Sequence, residues 1–324
     1  MVEPLRIVTF NVFPPAYQLI ATWAARRGHR LVLLVTSPSP RGERYGAGHR
    51  DLVESVPADQ DVLITTRLRR TAAPVIRTMA PDLIVSATFP HRIPPEVTAI
   101  PRYGAVNLHP APLPRGRGPN PQRLIYEGDT IVAGTLHRIA PDFDAGAVLS
   151  LQERSLPDDL TPGAILGAWS ELLAAALDEG AARAAAGEPG DEQDERLATY
   201  AAPFTEEERW LTWNEPARTV QRRVAALNLS GPTARARIGG QEVLVLDVRA
   251  RPAASSPARP GSILDRSGDT VTVQVADGAI AITVRPWPSS AIEGGVFAPE
   301  IVAASSVVNG AGADARRLRS EEGR

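Results

Sequence analysis

Leu5-Arg6-Ile7-Val8-Thr9-Phe10, then Pro14-Pro15, then Arg30-Leu31-Val32-Leu33-Leu34-Val35: reading these three stretches together decides the fold. The outer two are apolar at successive positions, the pattern of parallel strands covered on both faces. The prolines between them suit the first turn of a helix, where a missing N–H costs nothing. Leu19, Ile20, Trp23 and Ala24 then recur at helical spacing, and Gly28 closes the helix. Strand, helix, strand is one βαβ unit.

The pattern continues outward. Asp61-Val62-Leu63-Ile64-Thr65 and Asp82-Leu83-Ile84-Val85-Ser86 read as two more buried strands, with a fifth over 103–107 and a sixth over 133–139. Strands separated by helices predict an α/β fold with a doubly wound, Rossmann-like, mostly parallel sheet. Thr161 is placed to cap a long helix that has Pro162 at its first position. Ile165, Leu166, Trp169, Leu172, Leu173, Ala176 and Leu177 form its apolar face. Residues 181–196 are rich in Ala, Gly, Glu and Asp and read as a helix end plus a linker.

Beyond the linker the character changes. A short helix is expected within 205–227, with Val220, Val224 and Leu227 on one face. Alternating segments follow at 243–246, 270–275 and 279–284, with turns at Gly268-Asp269 and Asp277-Gly278. These predict a smaller C-terminal β domain, an OB-like β-barrel or a sandwich. The expected division is residues 1–200 for a catalytic domain, 205–300 for the β domain and 301–324 for a disordered tail.

Composition narrows the function. The 324 residues carry a net charge of -2, without the basic excess common in nucleic-acid binders. All 35 basic residues are Arg, which excludes lysine Schiff-base and P-loop lysine chemistry. There is no cysteine, hence no disulfide or thiolate metal site. No His, Asp and Glu grouping has metal-site spacing. No apolar run is long enough to span a membrane, and the start of the chain does not read as a signal peptide. A cytoplasmic enzyme fits these constraints.

The chemistry concentrates in two segments. Asn107-Leu108-His109-Pro110 lies at the carboxyl end of a predicted strand, where open α/β sheets bind ligands. Asn107 and His109 are two apart and point to the same side of an extended chain. Asp144-Ala145-Gly146 follows the sixth strand, and a carboxylate there is suited to orient an imidazole. His137 reads as a structural residue of the sixth strand and Asp142 as a loop residue. Arg115-Gly116-Arg117-Gly118 reads equally well as an anion site and as a solvated turn.

Asn-x-His-Pro, a proline-bearing loop with Arg-Gly, and a later Asp-x-Gly before an apolar pair together resemble the folate-dependent formyltransferases. The resemblance runs from Leu5 to Leu149 and, more weakly, through Trp213-Asn214-Glu215-Pro216, Val224 to Asn228 and Pro260 to Ile263. It implies that Asn107, His109 and Asp144 are catalytic and that 10-formyltetrahydrofolate is the formyl donor. The pterin would enter between the loops 88–94 and 139–144, against Phe89, His91, Arg92, Ile93, Val97, Val106, Ile139, Ala140 and Asp142. Such a pocket would lie wholly in the first domain, so deletion from Thr205 onward is expected to spare folate binding.

Departures from the family pattern fall on the acceptor side. Ala111-Pro112 stands where Ser-Leu is usual, Gln122-Arg123 where a Trp often follows, and Gly231-Pro232-Thr233 replaces a Trp-Pro-Gly type turn. They point first to a small-molecule amine acceptor lying over Arg115, Arg117 and Gln122, with tRNA as the alternative partner and a formyl-folate hydrolase as a third reading. A homodimer is compatible with all three.

Overall fold

The computed structural model describes residues 3–38, 48–238, 241–251 and 258–285. The expected tail at 301–324 lies outside the described residues, as do residues 39–47 and 252–257.

Seven strands form the first sheet: β1 (Arg6–Phe10), β2 (Arg30–Thr36), β3 (Val62–Ile64), β4 (Leu83–Ala87), β5 (Ala105–His109), β6 (Ile131–Arg138) and β7 (Val148–Ser155). Their order is β3-β2-β1-β4-β5-β6-β7. The first five are parallel, and β6 and β7 are antiparallel to their neighbours. The doubly wound, mostly parallel sheet expected from the sequence is present. Strand β7 was not foreseen, because its only apolar residues are Val148, Leu149 and Leu151, and Gln152 to Ser155 are polar.

Helices cover both faces. On one side α1 (Pro14–Arg27) and α6 (Pro162–Ala185) pack Ile20, Trp23, Ala176, Leu177 and Ala181 against Ile7, Val85, Val106, Leu108 and Leu136. On the other, α3 (Ala73–Met79) and α4 (Pro95–Thr98) bury Ile76 and Val97 against Val8, Phe10, Ile84 and Ala105; α2 (Gly48–Ser55) packs Leu52 beside Tyr17 and Leu34. The α6 start is as the sequence predicts, with the Thr161 hydroxyl accepting from the Ala164 N–H. Leu166 leaves the expected apolar face and is 42% exposed, because a helical step of one residue from Ile165 turns it away from the sheet.

Helix α7 (Ala217–Leu227) packs against helix α5 (Arg123–Glu127) and leads to the second sheet. That sheet is antiparallel, β8 (Arg235–Ile238), β9 (Gln241–Arg251), β10 (Ile263–Ser267), β11 (Thr270–Val275) and β12 (Gly278–Arg285), in the order β10-β11-β12-β9-β8. Its core joins Val243, Val245, Val271, Val273, Ile280 and Ile282 to Val220, Val224 and Leu227, the face of α7 read from the sequence. Strands β8 and β10 were missed; both are short and carry charged residues.

Candidate active site

Strand alternation decides what enters the site. On β5, Val106 and Leu108 face the α1–α6 layer, and Asn107 and His109 face the other way. Val106 therefore does not join the expected pterin lining: it packs in the layer of Leu136 and Leu149, while Ile93, Val97, Phe89 and Ile139 gather on the opposite side.

The acidic partner arrives from the β6–β7 connection. Asp144 takes a left-handed backbone with φ 57°, uncommon for a residue other than glycine. Two residues on, Gly146 lies so close to the chain that a Cβ would sit 1.9 Å from the Arg138 carbonyl oxygen. This tight hairpin turns the Asp144 carboxylate inward, where its side chain is 10% exposed.

Three side chains and one main-chain group meet that carboxylate. Oδ2 accepts from the Gly118 N–H at 2.8 Å and faces His109 Nδ1 at 3.6 Å. Oδ1 accepts from Asn107 Nδ2 at 3.4 Å and faces His137 Nε2 at 3.6 Å. His109 Nε2 donates to the Gly116 carbonyl at 2.8 Å, and His137 Nδ1 donates to the Arg138 carbonyl at 2.8 Å. Each imidazole thus turns its second nitrogen toward Asp144. Asn107 Nδ2 also donates to His137 Nε2 at 3.1 Å.

Burial alone pushes the Asp144 carboxyl upward. Positive charge at His109 and then at His137, each imidazole 3.6 Å away, and the Gly118 N–H outweigh it and hold the group well below the usual carboxylate range. The set is therefore a buried anion flanked by two imidazoles and a carboxamide. A proton arriving at His109 Nδ1 would lie against that anion, the geometry of an acid–base pair.

The structure brings Asn107, His109 and Asp144 together. It adds His137, which the sequence reading left as structural; its one available signal was its position two residues before Ile139 on the strand that leads to Asp144. The Gly118 N–H was also not foreseen, since a main-chain donor leaves no side-chain signature.

The remaining sequence candidates fall in two groups. Phe89 packs edge-on against Phe10 and His91, and His91 Nε2 lies 2.8 Å from Ser37 Oγ. Arg92 reaches Asp142 at 3.5 Å and covers the Phe143 ring at 5.2 Å, which links the two loops expected to hold the pterin. Ile139 and Ala140 continue from β6 into the second of those loops. On the acceptor side, Arg115 pairs with Asp129 at 2.7 Å, and Arg117 pairs with Glu195 at 2.7 Å. Gln122 sits at the start of α5 and accepts from the Tyr126 N–H through its carbonyl at 3.1 Å.

Known proteins match this chain in both halves. The formyl transferase family profile matches residues 8–168, and the profile described as formyl transferase, C-terminal domain, matches residues 203–291. A methionyl-tRNA formyltransferase of Halorhodospira halophila is 36% identical over 270 residues, 80% of this chain and 79% of its own. One of Thiobacillus denitrificans is 30% identical over 282 residues, covering 85% and 90%. Among solved structures, HypX from Aquifex aeolicus in complex with tetrahydrofolic acid aligns with a TM-score of 0.58 at 21% identity. That alignment takes in 86% of this chain and 44% of the longer HypX chain, and the likeness is one of fold.

Proposed function

The chain belongs to the formyl transferase family, and from that premise we propose that it moves a formyl group from 10-formyltetrahydrofolate to the amino group of methionyl-tRNA. The observation that carries the reaction is the convergence of Asn107, His109 and His137 on the Asp144 carboxylate. Formyl transfer bonds the acceptor nitrogen to the formyl carbon, releases the folate nitrogen, and leaves a proton to be removed from the attacking amine. His109 takes that proton at Nδ1, Asp144 stabilises the charge this creates, and the proton passes on to the folate nitrogen as the C–N bond to it breaks. The carbonyl oxygen gains negative charge in the same step. Asn107 is placed to donate to it by giving up the Asp144 contact, at 3.4 Å the longer of its two hydrogen bonds.

The donor's flat, amphipathic ring suits the residues present. Phe89, Ile93 and Ile139 supply the apolar surface, backed by the fully buried Val97, and the main chain of the loop 140–142 would offer donors and acceptors along its edge. Bound there, the donor supplies the activated one-carbon group. Val106, on the far face of the sheet, plays no part.

The acceptor reading rests on the relatives, which carry the same two halves across most of their length. A second reading, a small-molecule amine, keeps one supporting observation: the sequence departs from the family pattern at 111–112, 122–123 and 231–233. Against it, the Arg115 and Arg117 guanidinium groups are already engaged by Asp129, Gln193 and Glu195. A direct assay separates the two. The full chain with 10-formyltetrahydrofolate and methionyl initiator tRNA is expected to yield formylmethionyl-tRNA, with a KM for tRNA that rises steeply with salt. Formylation of a small-amine pool with none of the tRNA would replace this reading by the second.

A further inference from the structure

Gln193 lies between the segments matched by the two family profiles, in the stretch that the sequence presents only as a linker. Its side-chain amide is fully used. Nε2 donates to the Asp144 carbonyl at 2.8 Å and to the Gly146 carbonyl at 2.7 Å. Oε1 accepts from Arg117 Nε at 3.0 Å and Nη2 at 2.8 Å. The partners fix the orientation: two carbonyls require the N–H groups, and a guanidinium requires the oxygen.

These four bonds join the two loops that meet at the Asp144 carboxylate. One is the β6–β7 connection that carries Asp144 itself. The other is the segment of Arg117, whose next residue, Gly118, donates its N–H to Asp144 Oδ2. The Arg117 segment is laid along the linker by main-chain bonds, Arg117 N–H to the Thr199 carbonyl at 3.0 Å and Ala201 N–H to the Arg117 carbonyl at 2.7 Å. Asp144 holds a left-handed backbone, a conformation that persists in a non-glycine residue only when its surroundings over-determine it. The two Gln193 donors, one on each side of Ala145, supply that constraint.

We propose that Gln193 is a positioning residue for formyl transfer: its amide locks the loop that presents the Asp144 carboxylate to His109. The inference rests on the reading that Asp144 acts in the reaction. Gln193→Glu is the sharpest test. It is nearly isosteric and keeps a partner for Arg117, but it replaces two donors by an acceptor aimed at two carbonyl oxygens. Glu195→Gln is the control. Glu195 also holds Arg117, is largely exposed, and does not touch the Asp144 loop.

The assays are formyl transfer to methionyl-tRNA and, independent of any acceptor, formate release from 10-formyltetrahydrofolate, each across pH. Gln193→Glu is expected to lower kcat about tenfold or more, to move the acid limb of the pH profile by about half a unit, and to leave the KM for tRNA within about twofold. Glu195→Gln is expected to behave as wild type. If Gln193→Glu keeps the wild-type kcat and pH profile while Asp144→Asn is inactive, the inference fails and the catalytic reading stands. If both linker variants lose activity only in proportion to lost melting temperature, Gln193 is a structural tether and the inference also fails. Turnover by Asp144→Asn at the wild-type rate would remove the reading and the inference together.

Discussion

His109 meets Asp144 through Nδ1 and Gly116 through Nε2, so removing the ring removes the proton acceptor and one partner of a buried anion at once. His109→Ala is expected to lower turnover by about 10²-fold or more, and Asp144→Asn to do comparable damage. In both, folate binding followed by fluorescence or calorimetry should persist, since the apolar surface of Phe89, Ile93 and Ile139 is separate. Near-wild-type turnover in either variant removes the proposed mechanism. Asp144 also makes a stability prediction with a definite sign. Its folded pKa is depressed, so its ionisation stabilises the native state above the unfolded carboxyl value, and that contribution is lost as pH falls toward the folded value. The melting temperature of the wild type relative to Asp144→Asn should therefore be constant above about pH 5 and decline below about pH 4. A difference that grew on acidification would contradict the assignment of Asp144 as a buried anion.

The element that delivers this carboxylate is the β6–β7 hairpin, and its tightest point is Gly146. A Cβ there meets the Arg138 carbonyl oxygen at 1.9 Å, a main-chain atom held in the sheet and unable to swing aside. Gly146→Ala should cost about 1–3 kcal/mol, seen as a lowered melting temperature, and should depress kcat by displacing Asp144. If the variant melts and turns over as wild type, the hairpin does not set the position of the carboxylate. The same hairpin marks where sequence reading stopped. The strands up to β6 were legible within about two residues, because burial on both faces leaves an unbroken apolar run. Strand β7 was not, because its second half meets water and carries Gln152, Glu153 and Arg154. The site divides in the same way. Asn107, His109 and Asp144 were legible from a motif with fixed spacing. His137, the Gly118 N–H and Gln193 were not, since each acts through a partner that only the folded topology brings near.

At the scale of the whole molecule, the two halves share a core. Helix α7 inserts Ala225 and Ala226 into a cluster with Ile125, Val132, Ile165, Trp169 and Leu172 of the first half. Arg123 fastens the linker with bonds to the Ala202 and Pro203 carbonyls at 2.7 Å and 3.0 Å and to Glu208 at 2.8 Å and 2.9 Å. The Tyr126 hydroxyl donates to the Glu208 carbonyl at 3.1 Å, and its ring lies 5.0 Å from that of Phe204. The expectation that deletion from Thr205 onward spares folate binding does not fit this interface. Deletion removes α7 and exposes Ile125, which is 1% exposed in the intact chain, together with the buried side chains beside it. Uncovering each large apolar side chain costs about 1.5–3 kcal/mol, and a domain is stable by only about 5–15 kcal/mol. The full chain should accordingly unfold in one calorimetric transition, and a chain ending at Phe204 should aggregate or melt far below it. Because truncation is a blunt instrument, Ala226→Asp provides the finer probe: it places an unpaired charge in the shared cluster without shortening the chain. That variant should lower the single transition as a whole and release folate and tRNA binding together. Two separate transitions in the wild type, or Ala226→Asp melting the second half while the first still bound folate at full affinity, would mean that the halves fold independently and that α7 is only a spacer for the acceptor.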